Sequence, residues 1–253
     1  MIDTPEALRT LVAQIRRCPS VALDTEFVWE STYYPRLGLV QLGLDDGTCH
    51  LVDAVALPDL APLAEIIAAA DLPKILHDAP QDLTILRRAT GASPRNVFDT
   101  RCAAGLAGLS STSSLLQLAS TVLGVELDKT ASRTNWLQRP LSPAQARYAV
   151  EDVRCLPPLR DALLARIRRL GRESWLREEL LALDDPRLYE ERDPREQYQR
   201  IKGAGRATPR ELAVLRELAA WREEEARRSD RPRGRILSDD VLLHLARRKP
   251  RTL

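Results

Sequence analysis

Apolar and polar positions follow two rhythms along this chain. Over residues 4–17, Leu8, Leu11, Val12 and Ile15 recur at helical spacing, which predicts an amphipathic helix. The period then shortens. Val21 to Phe27, Leu37 to Gly43 and Thr48 to Val52 read as strands, the last two joined by the turn residues Asp45-Asp46-Gly47, and together they predict a meander of hairpins. A helix over Leu60–Ala70, a short strand Lys74–His77, a helix from Pro80 through Ala89, a brief strand Asn96–Phe98 and a helix to Leu106 follow. Beyond that the pattern is helical, over Leu115–Leu123, Pro143–Leu170 and Glu173–Leu183. Hairpins first, then strands alternating with helices, predict an α/β fold. Its mixed sheet combines an antiparallel meander with parallel strands, and helices flank it. The polar, proline-punctuated stretch Asp184–Gly205 reads as a linker. After it, Thr208, Pro209 and Glu211 mark a helix start with a capping box, and a second helix begins past Ser238. The expected division is thus 1–183, a linker 184–205, and a helical C-terminal extension 206–253. Two amphipathic helices are too few to enclose a core of their own.

Composition narrows the class. With 44% apolar and 29% charged residues, this is a water-soluble globular chain. Its most apolar window, Ala61–Ala70, is interrupted by Pro62 and Glu65, so no membrane partner is expected. The N-terminus lacks the apolar centre of a signal peptide. Cys18, Cys49, Cys102 and Cys155 are far apart without a CxxC, which predicts reduced thiols and a cytoplasmic location. The scattered His50, His77 and His244 argue against a zinc centre. Net charge is only +2, yet residues 198–253 hold 15 Lys and Arg against 8 Asp and Glu, leaving the body acidic. A basic tail on an acidic body suits contact with phosphates by the one and cations by the other, although a solvated helical surface has the same composition.

Candidate chemistry sits in three stretches. Asp24 and Glu26 lie two residues apart on a predicted strand and share a face, where two anions repel unless they are solvated or a cation lies between them. Asp82 falls one turn into a helix that directly follows a strand, a place where an Asp also serves the helix dipole. Tyr148 and Asp152 are spaced to meet on one helical face. Each is weak alone. Together they supply what phosphodiester hydrolysis needs. Two divalent cations about 3.5–4 Å apart activate water and stabilise the leaving oxygen. Carboxylate oxygens are their natural donors.

At this point a resemblance can be stated. Leu23-Asp24-Thr25-Glu26, His77-Asp78-Ala79-Pro80-Gln81-Asp82-Leu83 and Tyr148-Ala149-Val150-Glu151-Asp152-Val153 resemble, in order, the three motifs of the DEDD 3′–5′ exonucleases, and Tyr148 places the chain with the tyrosine subclass. Leu127–Trp136, followed by Arg139-Pro140-Leu141, is similar to the ribonuclease D family in particular, and the likeness covers nearly the whole chain. It implies a ribonuclease H-like fold. It also implies removal of RNA 3′ ends, such as the trailers of transfer RNA precursors, as nucleoside 5′-monophosphates by a two-metal-ion mechanism with Mg²⁺ or Mn²⁺. Asp24, Glu26, Asp82 and Asp152 match the metal-binding carboxylates and Tyr148 the water-orienting residue. Asp78 stands where relatives often have a small or amide residue, and is expected to be a solvated neighbour, with added negative charge near the metals as the alternative. Thr208–Leu253 resembles the start of the helicase-and-RNase-D C-terminal (HRDC) domain, here incomplete. For the RNA, Lys129, Arg133, Trp136 and Arg139 form a basic loop with one aromatic, and Phe27 flanks the carboxylates. Trp136 and Phe27 fit core packing as well as base stacking. A DNA exonuclease and an idle RNA-binding module remain the competing readings. No protein partner follows from the sequence.

Overall fold

The strand read at Val21 forms as β1 (Val21–Val28), after the helix α1 (Pro5–Ile15). β2 (Arg36–Leu44) and β3 (Cys49–Asp53) make the expected antiparallel hairpin, with Gln41 opposite Leu51. A 3₁₀ turn at Ala61–Leu63 and the one-turn α2 (Ala64–Ile67) stand where a longer helix was expected. Pro62 lies in the first turn, and Pro73 closes the segment before the next strand. Then come β4 (Lys74–Leu76), α3 (Pro80–Thr90), β5 (Val97–Asp99), α4 (Thr100–Leu106) and α5 (Leu115–Leu123). The long helix expected over 143–170 is two, α6 (Pro143–Arg154) and α7 (Leu156–Arg169), and α8 (Glu173–Ala182) follows. The break falls at Cys155, because Pro157 and Pro158 offer no N–H to carry α6 onward. The computed structural model describes residues 1–128, 131 and 134–249.

The five strands form one mixed sheet in the order β3-β2-β1-β4-β5, with β1, β4 and β5 parallel. Strand alternation assigns its two faces. Val21 and Leu23 join α1, α3 and the inner side of β2 in one apolar cluster, while Ala22 joins α4, α6, α7 and α8 in the other. Asp24 and Glu26 therefore continue the Ala22 face, toward α6. The β1–β4 register covers Val21 and Ala22, so both carboxylates lie past the end of the β4 ladder.

The chain divides into two units, one of residues 1–27 and 37–190, the other of 28–36 and 191–253. The second contains 3₁₀ turns at Pro194–Arg200 and Ala204–Arg206, then α9 (Pro209–Arg228), the one-turn α10 (Arg233–Ile236) and α11 (Asp239–Arg248). The capping box of Thr208 and Glu211 is present as read. This unit does have an apolar cluster of its own. Leu215, Ala219, Leu242, Leu243 and Ala246 are joined by Ile201 and Ala204 from the stretch between 184 and 205, which two helices alone would not provide.

Two glycines on β2 let the chain after α5 approach the sheet. A Cβ on Gly38 would meet the Trp136 carbonyl oxygen at 2.4 Å, and one on Gly43 would meet the Val153 carbonyl oxygen at 2.9 Å. Between them, Arg139 uses every donor it has. Its Nε and Nη2 donate to the Asp53 carboxylate at 2.6 Å each, Nη2 also to the Gly38 carbonyl at 2.7 Å, and Nη1 to the Trp136 and Gln138 carbonyls at 2.9 and 2.8 Å. Against the burial that raises it, this guanidinium holds the Asp53 carboxyl below the usual carboxylate range. Gly38→Ala forces backbone apart at this seam. It is expected to destabilise the nuclease unit by about 1–3 kcal/mol, read as a lower urea midpoint, while Arg36→Ala on the exposed start of β2 leaves the midpoint near wild type.

Candidate active site

The site forms where β1 ends against α6. Ser142 caps α6 with a capping box to Gln145, and Pro143 occupies its first turn. Gln145 also donates to the Thr134 hydroxyl at 3.0 Å, tying the preceding loop to the helix. The close pass at Gly43 then seats Val153 on the sheet, which turns the neighbouring Asp152 toward β1. Carboxylate oxygens of Asp24, Glu26 and Asp152 come within 4.8 Å of one another.

Asp82 arrives from the other face. α3 packs with the Val21–Leu23 side of β1, and the Thr25 hydroxyl donates to an Asp82 oxygen. Asp82 is thus outside the set of three, yet near enough for its charge to act on Asp24 and Glu26. The turn that carries it is held by Asp99. This buried carboxylate accepts from the backbone N–H groups of Asp78 and Ala79 at 3.1 and 3.0 Å and also caps α4. Asp78 pairs with Arg101 and is largely exposed, and its charge adds to the upward push on Asp82.

The electrostatics reflect crowding of like charges in a partly buried place. Burial first, then the charges of Asp82, Asp152 and Glu26, push the Asp24 carboxyl well up. Burial followed by Asp152 and Asp82 raises Glu26 to about 9. Asp152 rises to about 7 through burial, despite the hydrogen bond it accepts from Tyr148, and burial raises Asp82 to about 6 against the Thr25 bond. Burial and the same carboxylates drive the Tyr148 hydroxyl far above its ordinary range, so it keeps its proton at neutral pH. Gln41 of β2 donates to Asp24 at 3.5 Å, while its side-chain oxygen is buried with no protein partner.

A cavity of about 290 Å³ opens at this cluster, lined by Asp24, Tyr148 and Asp152 together with His77, Leu116 and Leu127. His77 is part of the wall. Its Nε2 donates to the Ser113 carbonyl at 3.1 Å and its Nδ1 meets the Thr100 hydroxyl at 2.9 Å, and burial holds its pKa down.

The substrate-contact residues read from the sequence separate. Trp136 is 1% exposed and its ring packs 6.0 Å from that of Tyr148, so it supports α6 from within. Arg139 is consumed by Asp53 and three carbonyls. Phe27 is half-buried. Lys129 and Arg133 lie outside the described residues. The sequence reading passed over Thr25, Gln41, His77 and Asp99. Of these only Asp99 had a local signal, an Asp directly before a helix start.

Comparison with known proteins places this geometry. A 3′–5′ exonuclease family model matches residues 1–168, and an HRDC domain model matches 211–253. Ribonuclease D of Desulfotalea psychrophila is 48% identical over 99% of this chain and 67% of its own. The crystal structure of Escherichia coli RNase D, described as an exoribonuclease involved in structured RNA processing, superimposes with a TM-score of 0.91 at 33% identity, over 100% of this chain and 67% of that one. Brucella melitensis NrnC with bound Mg²⁺ matches with a TM-score of 0.61 at 27% identity, over 76% and 90% of the two chains. Among curated relatives, the chain spans between 62% and 67% of the partner's length. With a sheet, an acidic cluster and sequence likeness all in agreement, the chain belongs to the ribonuclease D family of 3′–5′ exoribonucleases.

Proposed function

We propose that this chain removes nucleotides one at a time from RNA with a free 3′ end, transfer RNA precursor trailers among its substrates, and releases nucleoside 5′-monophosphates. The observation that carries this is the meeting of Asp24, Glu26 and Asp152 within 4.8 Å at the end of β1 in a chain of this family. Three hard oxygen donors, crowded and pushed toward protonation, fit a divalent cation, which removes the repulsion that raises them. Asp24, Glu26, Asp82 and Asp152 would hold Mg²⁺ or Mn²⁺, and the Mg²⁺-bound relative supports that choice. Two such ions, when bound, supply Lewis acidity for a water nucleophile and for the leaving 3′ oxygen. Tyr148, protonated and hydrogen-bonded to Asp152, orients the attacking water through its hydroxyl. Phe27, partly exposed beside the acids, contacts the terminal nucleotide, and Lys129 and Arg133 follow its phosphates.

The exonuclease part is assigned to 1–183, the connecting stretch to 184–205 and the HRDC-like segment to 206–253; the model matches over 1–168 and 211–253 support this division. Free cysteines at 18, 49, 102 and 155 support work in the reducing cytoplasm. Among the described residues no helix is long and apolar enough to cross a membrane.

Digestion of 3′-labelled RNA and DNA with and without Mn²⁺ tests the activity. Mononucleotide release from linear RNA that stops in EDTA is expected, while cutting of circular RNA would refute it. Tyr148→Phe should bind Mn²⁺ and RNA as wild type yet turn over roughly a hundredfold more slowly, a loss of about 2–4 kcal/mol confined to the transition state. Asp152→Asn should instead weaken Mn²⁺ binding in calorimetry and regain part of its turnover at high Mn²⁺.

A pH effect follows from the raised carboxyls. Without metal, the folded state keeps protons on Glu26 up to about 9 and on Asp152 up to about 7 that the unfolded chain has already lost. Where the native state binds more protons, stability falls as pH rises. In EDTA, the cluster's contribution should thus be present at pH 4 and lost between pH 5 and 9. Mn²⁺ should restore the melting temperature most at pH 8, and Asp152→Asn should flatten the metal-free pH profile.

A further inference from the structure

β2 holds one polar side chain between Leu37 and Leu44, and it is wholly enclosed. Gln41 is 0% exposed, and Leu39, Val40 and Leu42 around it are sealed to the same degree. Its main chain lies opposite Leu51 of β3, but its side-chain oxygen has no hydrogen-bond partner among the described residues. A buried amide with its oxygen unpaired loses hydration without replacement. An apolar side chain of the same size would fit these surroundings without that penalty. The reason for an amide here therefore lies at its nitrogen.

That nitrogen serves Asp24. By strand alternation Gln41 shares a face of β2 with Gly43, which meets Val153 of α6. Asp24 continues the Ala22 face of β1, and Ala22 and Val153 belong to one apolar cluster. Both side chains thus lie on the α6 side of the sheet, within the unit of residues 1–27 and 37–190. There Nε2 of Gln41 donates to Oδ2 of Asp24 at 3.5 Å, and among the described residues no other side chain donates to this carboxylate. The crowding of Glu26 and Asp152 gives the bond its use, since their charges push Asp24 away from the cluster. A hydrogen bond to one oxygen fixes the carboxylate plane and leaves the remaining lone pairs for a cation. A glutamate at position 41 would add another anion, and a lysine would compete with the cation. A neutral amide offers an N–H and does neither.

We propose that Gln41 is a positioning residue for the reaction: its side-chain amide holds Asp24 in the orientation in which that carboxylate binds its cation. The unpaired oxygen in the core is the stability given up for this. The proposal rests on the reading of Asp24 as a metal ligand.

Gln41→Met removes the amide and nearly keeps the volume. In calorimetry its Mn²⁺ affinity should fall about tenfold, the lower end of the loss that follows when a ligand's hydrogen-bond partner is removed. Turnover at subsaturating Mn²⁺ should fall with it, while KM for RNA stays at the wild-type value. The urea midpoint in EDTA should stay at or above wild type, because the orphaned oxygen leaves with the amide. A merely structural Gln41 gives the reverse, a lower midpoint with wild-type Mn²⁺ affinity, and that result would overturn the proposal. If Gln41→Met does not fold by circular dichroism, the wild-type protein decides. Titration with Mg²⁺, followed by NMR, should move the Gln41 side-chain N–H resonances with the midpoint that calorimetry gives for binding. Resonances that stay in place while Mg²⁺ binds would overturn the role of the amide. Wild-type protein that binds neither ion sinks the metal reading and this proposal with it, whereas equal Mn²⁺ binding by wild type and Gln41→Met sinks the role of Gln41 alone.

Discussion

Like charges crowded together at a partly buried site set the terms for this structure. Asp24, Glu26 and Asp152 crowd within 4.8 Å, with Asp82 close enough to add its field, and each is raised first by burial. Such an arrangement is unfavourable in the metal-free protein, where it persists as shared protons on nominally acidic groups. The fold must hold these side chains together against their own repulsion, and much of the surrounding architecture is legible as the means of doing so. Trp136 packs its ring beside Tyr148, Gln41 turns its amide to Asp24, and Asp99 ties down the turn that delivers Asp82.

Backbone proximity does the rest. A helix axis ordinarily rides about 10 Å from a sheet, with side chains between. At Gly43 and Gly38 those side chains are absent, and carbonyls of Val153 and Trp136 fill the space. The result is that α6 and the loop before it each meet β2 through main chain, at Val153 and Trp136. The orienting role proposed for the Tyr148 hydroxyl needs such rigidity, since an error of an ångström costs much of the positional advantage.

The sequence made the acidic centre visible because each of its members had a geometric signature: two residues apart on a strand, one turn into a helix, four apart on another. Periodicity likewise marked nearly every strand and helix. It failed where a local signal was overridden. Pro157 and Pro158 split a helical pattern at Cys155 that apolar spacing alone carries through, and Pro62 reduced a promising apolar run to little more than a turn. Trp136 and Arg139 were ambiguous for a deeper reason. Whether an aromatic or a guanidinium faces solvent depends on partners far away in sequence, here Gly38 and Asp53, and no spacing rule encodes them. Thr25 and Gln41 were invisible for the same cause. A polar residue in a strand has meaning only once its partner elsewhere in the fold is known, Asp82 on α3 for Thr25 and Asp24 on β1 for Gln41.

Arg139 has one more implication. Proteins that grip nucleic acid release counterions in proportion to the phosphates they neutralise, so the steepness of affinity against salt counts cationic contacts. A tally of basic residues around this site would include Arg139, yet its five N–H groups are already committed to Asp53 and to three carbonyls. Its charge is cancelled within the fold and has no counterion cloud to give up. A salt titration on this protein will therefore report fewer contacts than its formal charge suggests, and the missing one is the arginine that fastens the loop to the sheet.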